Sequence, residues 1–124
     1  MYNEYIIKNK TKEHIMKEKF ETTLEYKVYF GLFDQLTHKQ EIRTADALEM
    51  VSDYIANHFS GATVYSGYGV YRHEDGSTVK EPSLIVELLD VKFDDVVNMI
   101  NEIKYGLNQE SVLISEAEIK YQFA

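Results

Sequence analysis

The sequence predicts an α+β domain of the ferredoxin-like type, with elements in the order β-α-β-β-α-β behind an N-terminal appendage. Three observations carry that prediction. From Glu25 onward, strand-length runs rich in β-branched and aromatic residues are interleaved with two stretches whose apolar residues recur at helical spacing. An Asp75-Gly76 pair stands between the second and third strand-like runs, where a tight turn is needed. A chain of 124 residues, 44% of them hydrophobic, suffices for one core and leaves no room for a second.

Residues 1–24 differ from the rest and read as an extension. EYIIK suits a short strand, and KEHIMKEKF suits a short amphipathic helix begun by Thr11. The α+β domain then occupies 25–124. In EYKVYFGLF, alternation places Tyr26, Val28, Phe30 and Leu32 on one face of a first strand. A helix over 45–59 follows, with Thr44 as N-cap, Asp46 in the first turn and Leu48, Val51, Ile55 and Phe59 at helical spacing. Gly61 is expected to close it.

ATVYSGYGVYRH and TVKEPSLIVELLD form a long hairpin around the Asp-Gly turn. Pro82 lacks a ladder donor and suits an edge or bulge, and Gly67 and Gly69 suit a bulge where side chains would crowd. KFDDVVNMINEIKYGLN supplies a second helix with a stripe of Val96, Val97, Ile100, Ile103 and Leu107, and Asp94 and Asp95 at the favourable end of its dipole. SVLISEAEIKYQF alternates as a last strand. Two right-handed crossovers in one antiparallel sheet put both helices on the same face and leave the other open. Tyr29, Phe33 and Ile114 are expected on that open face, which favours a homodimer or larger ring.

Composition excludes several chemistries. With no cysteine there is no disulfide, thiolate metal site or cysteine nucleophile, and a reduced, cytoplasmic location is expected. No apolar run approaches the roughly 20 residues needed to span a bilayer. Five lysines against three glutamates give residues 1–20 a net +2, while the remainder, eight basic against eighteen acidic, carries −10. A body of that sign repels phosphate backbones, so no direct nucleic-acid binding and no membrane binding are expected, although carboxylates can mimic nucleic acid. His14, His38, His58 and His73 are scattered without metal-ligand spacing, and no G-x-S-x-G or phosphate loop is present, so no catalytic residue, metal or cofactor is expected.

The aromatic hairpin remains as the candidate site. Tyr65, Tyr68 and Tyr71 would alternate between faces of a regular strand, and a bulge near Ser66-Gly67 or Gly69 would turn them to a common side. With Arg72, Lys80 and Glu81 they form a candidate ligand surface; alternatively, they pack the sheet face of a dimer. Arg43 and Arg72 are the only arginines, so an anionic ligand would need one of them or a lysine such as Lys39 or Lys80.

Phe30-Gly31-Leu32, Gly61-x-Thr63, Gly69-x-Tyr71, Gly76 and Glu81-x-Ser83, followed by Gln109-Glu110-Ser111-Val112-Leu113, resemble the pattern of a group of small uncharacterised bacterial and bacteriophage proteins. The match spans roughly residues 28–113 with gaps and departs where Tyr71 stands in place of the group's usual tryptophan. The resemblance implies a phage or mobile-element origin, where small proteins inhibit host proteins or sequester signalling nucleotides. The expectation is therefore a non-catalytic, homo-oligomeric binding protein for a small, nucleotide-like signalling ligand. Two alternatives stay open: an acidic protein-protein inhibitor of a host defence protein, and a cofactor-free dimeric α+β enzyme.

Overall fold

A computed structural model describes residues 19–124, so most of the expected extension, with its short strand and helix, lies outside the described residues. The elements are β1 (Glu21–Gly31), α1 (Thr44–His58), β2 (Thr63–Arg72), β3 (Thr78–Leu89), α2 (Phe93–Gly106) and β4 (Leu113–Tyr121). The four strands form one antiparallel sheet in the order β2-β3-β1-β4. This is the ferredoxin-like β-α-β-β-α-β arrangement that the sequence predicts. β1 begins at Glu21, so Glu21–Leu24, expected to belong to the extension, lengthen the sheet and pair with β4 from Glu21↔Tyr121 onward.

The core lies between the sheet and the helices because strand alternation and helical periodicity bring matching apolar sets together. Tyr26, Val28 and Phe30 of β1 stand beside Leu88, Val86 and Leu84 of β3, their direct ladder partners, and all six are buried. They meet Ala47, Val51 and Ile55 from α1 and Val96, Met99 and Ile103 from α2. Full burial of each large apolar side chain contributes about 1.5–3 kcal/mol.

Three local expectations are corrected. The N-cap of α1 is Arg43, whose guanidinium pairs with Asp46 (Nε to Oδ2 2.9 Å), while Thr44 is the first helical residue. Gly61 lies past an extended Phe59 and does not form the cap. Leu48 faces outward because the i, i+4, i+8 set that meets the sheet is Ala47, Val51 and Ile55; in α2, Met99 takes a buried place between Val96 and Ile103.

The hairpin holds an uninterrupted register from Thr63↔Glu87 to Arg72↔Thr78, without the expected bulge. Its turn is closed by the His73 N–H donating to the Ser77 carbonyl at 2.8 Å, with Gly76 at φ +87° and the Asp75 carboxylate accepting from the Ser77 N–H and hydroxyl. Pro82 sits just beyond Gly31↔Ser83, where the β1–β3 ladder ends, and its carbonyl still accepts from the Leu32 N–H. β3 is an interior strand and Pro82 pairs with Tyr68 in the unbroken β2–β3 ladder, so it sits at neither the edge nor the bulge that was expected.

Among the described residues, no helix lies on the opposite face of the sheet. It carries Tyr29 and Gly31 from β1, Tyr65, Gly67, Gly69 and Tyr71 from β2, Glu81, Ser83, Ile85 and Glu87 from β3, and Leu113 from β4. Ile114, expected here, points the other way. It is the ladder partner of Val28, and antiparallel partners share a face, so Ile114 packs against the core while Leu113 is 65% exposed on the open side.

Candidate functional site

At one end of the open face a cavity of about 810 Å³ is bounded below by the sheet and at the rim by two connections. The floor comes from Tyr29, Gly31, Gly67, Gly69, Ser83 and Ile85, with Tyr71, Glu81 and Leu113 rising around it. The β1–α1 connection contributes Phe33, Asp34, Gln35 and His38, and the α2–β4 connection contributes Gln109, Glu110 and Ser111.

Glycines make this floor. A Cβ on Gly31 would lie 2.6 Å from Glu81 Oε2, and one on Gly69 would lie 2.7 Å from the Tyr71 hydroxyl. A Cβ on Gly67 would press on Ile85 Cδ1 at 3.2 Å. Each glycine thus leaves space that a neighbouring side chain occupies. The Glu81 carboxylate, seated over Gly31, accepts a hydrogen bond from the Phe33 N–H at 2.9 Å.

Side-chain amides clasp the two rim connections. Asp34 accepts from the Leu36 and Thr37 N–H groups with Oδ1 (2.8 and 3.1 Å) and from Asn108 Nδ2 with Oδ2 (2.9 Å). Gln35 donates to Asn108 twice, from Nε2 to Oδ1 at 2.8 Å and from its N–H to the carbonyl at 3.0 Å. The Gln109 amide donates to the Phe33 carbonyl. His38 and Asn108 both adopt left-handed backbone (φ +59° and +50°) at the turns that make these contacts. Hydrogen bonds from Asn108, then from the Leu36 and Thr37 N–H groups, hold the Asp34 carboxyl below its ordinary range.

The charge of the cavity is acidic. Asp34, Glu81 and Glu110 line it beside His38, and among the described lining residues there is no lysine or arginine. Arg72 is exposed at the end of β2 next to the cavity, but its register places it on the helix-side face, and Arg43 is engaged with Asp46. Lys80 faces the opposite side of the sheet, its ammonium 5.4 Å from the centre of the Tyr68 ring.

The residues singled out from the sequence are therefore divided. Tyr71 and Glu81 line the cavity, and so do Tyr29 and Phe33, which were expected at a subunit interface. Tyr68 borders it, but its register with Pro82 turns its ring to the helix side. Tyr65 stands farther along the open face, 42% exposed, and donates to Glu87 at 2.8 Å, a bond that raises its phenol pKa. Gly31, Asp34, Gln35, His38, Gln109 and Glu110 were not singled out as ligand residues. Gly31, Gln109 and Glu110 do fall within the motifs that carried the family resemblance, so a signal was present without a role attached to it.

These features define an α+β protein of ferredoxin-like fold with an acidic, glycine-floored cavity on its open sheet face. The chain belongs to the family described as Protein of unknown function (DUF3574), whose profile matches residues 25–123. No curated protein matches it in sequence. Among solved structures it is similar to a phage SAM lyase in complex with S-methyl-5′-thioadenosine, with a TM-score of 0.54 and 20% identity, covering 80% of this chain and 87% of that one. The apo state of a phage SAM lyase gives 0.55 and 21%, covering 81% and 87%. The B. subtilis GlnK-ATP complex gives 0.52 and 13%, covering 79% and 82%.

The expectation of a non-catalytic protein is corrected by the lyase similarity: an enzyme shares this fold over most of its length. The sequence holds neither a nucleophile motif nor a histidine set at metal-ligand spacing. A lyase step in which the substrate supplies its own nucleophile and leaving group needs neither.

Proposed function

We propose that this protein is an enzyme of the lyase type that takes an adenosyl sulfonium, S-adenosylmethionine or a close relative, into the open-face cavity and releases S-methyl-5′-thioadenosine. The observation that carries this reading is the charge of the lining. The similar structures hold adenosine compounds of different charge, S-methyl-5′-thioadenosine and ATP. Triphosphates are met by arginine and lysine, which the described lining lacks. A sulfonium is met by carboxylates, of which the lining has three. Opposite unit charges 4 Å apart attract by about 1 kcal/mol in water and about 4 kcal/mol at an effective dielectric near 20.

The chemistry balances without a co-reactant. The bond from sulfur to Cγ of the amino-acid portion breaks, its electron pair stays on sulfur, and neutral S-methyl-5′-thioadenosine leaves. The substrate's own carboxylate oxygen bonds to Cγ and closes a lactone, so no water or proton is consumed. Both reacting charges vanish in this step, and apolar walls favour such a loss of charge. Tyr29, Phe33, Ile85 and Leu113 supply those walls. Glu81, fixed by the Phe33 N–H, receives the positive charge of the bound substrate. Tyr71 offers a ring for the purine, as stacking on tyrosine requires.

A second copy of the chain would cover the open sheet face, where Tyr65 and Leu113 are exposed, and a phage or mobile-element setting fits the lyase similarity. Incubation with S-adenosylmethionine and chromatography for S-methyl-5′-thioadenosine tests the reading. Product formed by the protein, and formed more slowly by Glu81→Gln at low substrate, supports it. Absence of product, together with tighter binding of ATP than of S-adenosylmethionine by calorimetry, overturns it.

A further inference from the structure

We infer that Gln109 and Asn108 are positioning residues for Glu81, acting through the backbone of Phe33; this inference rests on the cavity being the functional site. Glu81 is held by one backbone donor, the Phe33 N–H, at 2.9 Å. Phe33 lies just past the end of β1, beyond the β1–β3 ladder that ends at Gly31↔Ser83, so the sheet does not fix it there. Its carbonyl is fixed instead by the Gln109 side-chain amide. Just beyond that carbonyl, Asp34 is tied to Asn108 Nδ2 at 2.9 Å, and Gln35 to Asn108 Oδ1 at 2.8 Å. Both Asn108 side-chain atoms are thereby used, one donating and one accepting.

The path is short and continuous. Gln109 and Asn108, just past the end of α2, hold the carbonyl of residue 33 and the two residues that follow it. Residue 33 holds the carboxylate that the cavity presents. A bridge from Phe33 to Gln40 closes the same loop onto itself. The carboxylate therefore keeps its place before any ligand arrives, which lowers the ordering needed on binding. Asn108 suits its position twice over, since its left-handed backbone (φ +50°) favours asparagine or glycine.

Two variants separate the amides from the backbone. Gln109→Glu keeps size and removes the donor, and Asn108→Gly keeps the backbone conformation and removes the side chain. Amide hydrogen exchange by NMR reads the Phe33 N–H without any ligand. Exchange at Phe33 is expected to speed up on the order of tenfold in each variant, with the Val28 and Val86 amides unchanged. With S-adenosylmethionine, KM is expected to rise by about tenfold with a smaller change in kcat, because a displaced Glu81 weakens capture of the cation. Unchanged Phe33 exchange in both variants overturns the positioning role, whatever the activity. Faster Phe33 exchange in a protein whose wild type yields no S-methyl-5′-thioadenosine keeps the positioning role and removes the lyase reading.

Discussion

The carboxylate of Glu81 occupies the volume that any side chain at residue 31 would need: a Cβ there would stand 2.6 Å from Oε2. The glycine of Phe30-Gly31-Leu32 and the glutamate of Glu81-x-Ser83 are thus two halves of one contact across β1 and β3. Gly31→Ala is expected to evict the carboxylate and leave the fold standing, because a flexible side chain is what must move. Thermal denaturation should shift little, within about 1 kcal/mol, since alanine is no worse than glycine in a strand. Cleavage of S-adenosylmethionine, read as kcat/KM, should fall by about tenfold or more.

Glu81→Gln tests charge at constant shape. The amide oxygen can still accept from the Phe33 N–H, so stability is expected to change by less than about 1 kcal/mol. Calorimetric affinity for S-adenosylmethionine should fall about tenfold, while affinity for neutral S-methyl-5′-thioadenosine should hold. Equal losses for both ligands would place the positive charge elsewhere.

Asp34 links the rim to acid stability. Its folded-state pKa lies below the ordinary carboxyl value, chiefly through Asn108 and the Leu36 and Thr37 N–H groups. A carboxyl lowered on folding stabilises the fold above its unfolded pKa of about 3.9, and that contribution is lost as pH falls through the lower, folded value. Asp34→Asn should therefore be less stable than wild type from pH 7 down to about 4, and the gap should close below that. Urea titrations across pH measure it, and a gap that widens in acid would contradict the assignment.

Leu84 and Met99 are wholly buried in the core between sheet and helices. Leu84→Ala or Met99→Ala should each cost about 2–5 kcal/mol of stability in denaturant titrations. Leu113→Ala, on the exposed open face, should cost under about 1 kcal/mol in the single chain.

The fold was legible because its signals are local. Alternation at Tyr26, Val28 and Phe30, and helical spacing at Val51 and Ile55, survive in the structure unchanged. Ile114 was misplaced because the face of β4 depends on its register with β1, which nothing within the strand itself states. In the hairpin the expected bulge is absent, and Tyr71 reaches the cavity by lying over Gly69. The contacts that build the rim were not legible. Asp34 and Asn108 stand 74 residues apart and meet only because the ends of β1 and α2 are brought together by the topology. Arg72 and Lys80, expected to meet an anionic ligand, stand on the helix-side face, whereas the cavity is lined by carboxylates.

Antiparallel pairing has given every strand the same parity. Val28 stands opposite both Val86 and Ile114, and Val64 opposite Val86, so even numbers face the helices and odd numbers face the open side in all four strands. Fold and cavity are therefore written in alternate letters of the same text. A library varied at 29, 31, 67, 69, 71, 81, 83 and 113 would rewrite what the protein holds without touching the core between sheet and helices. A deletion of one letter within a strand would exchange the two messages.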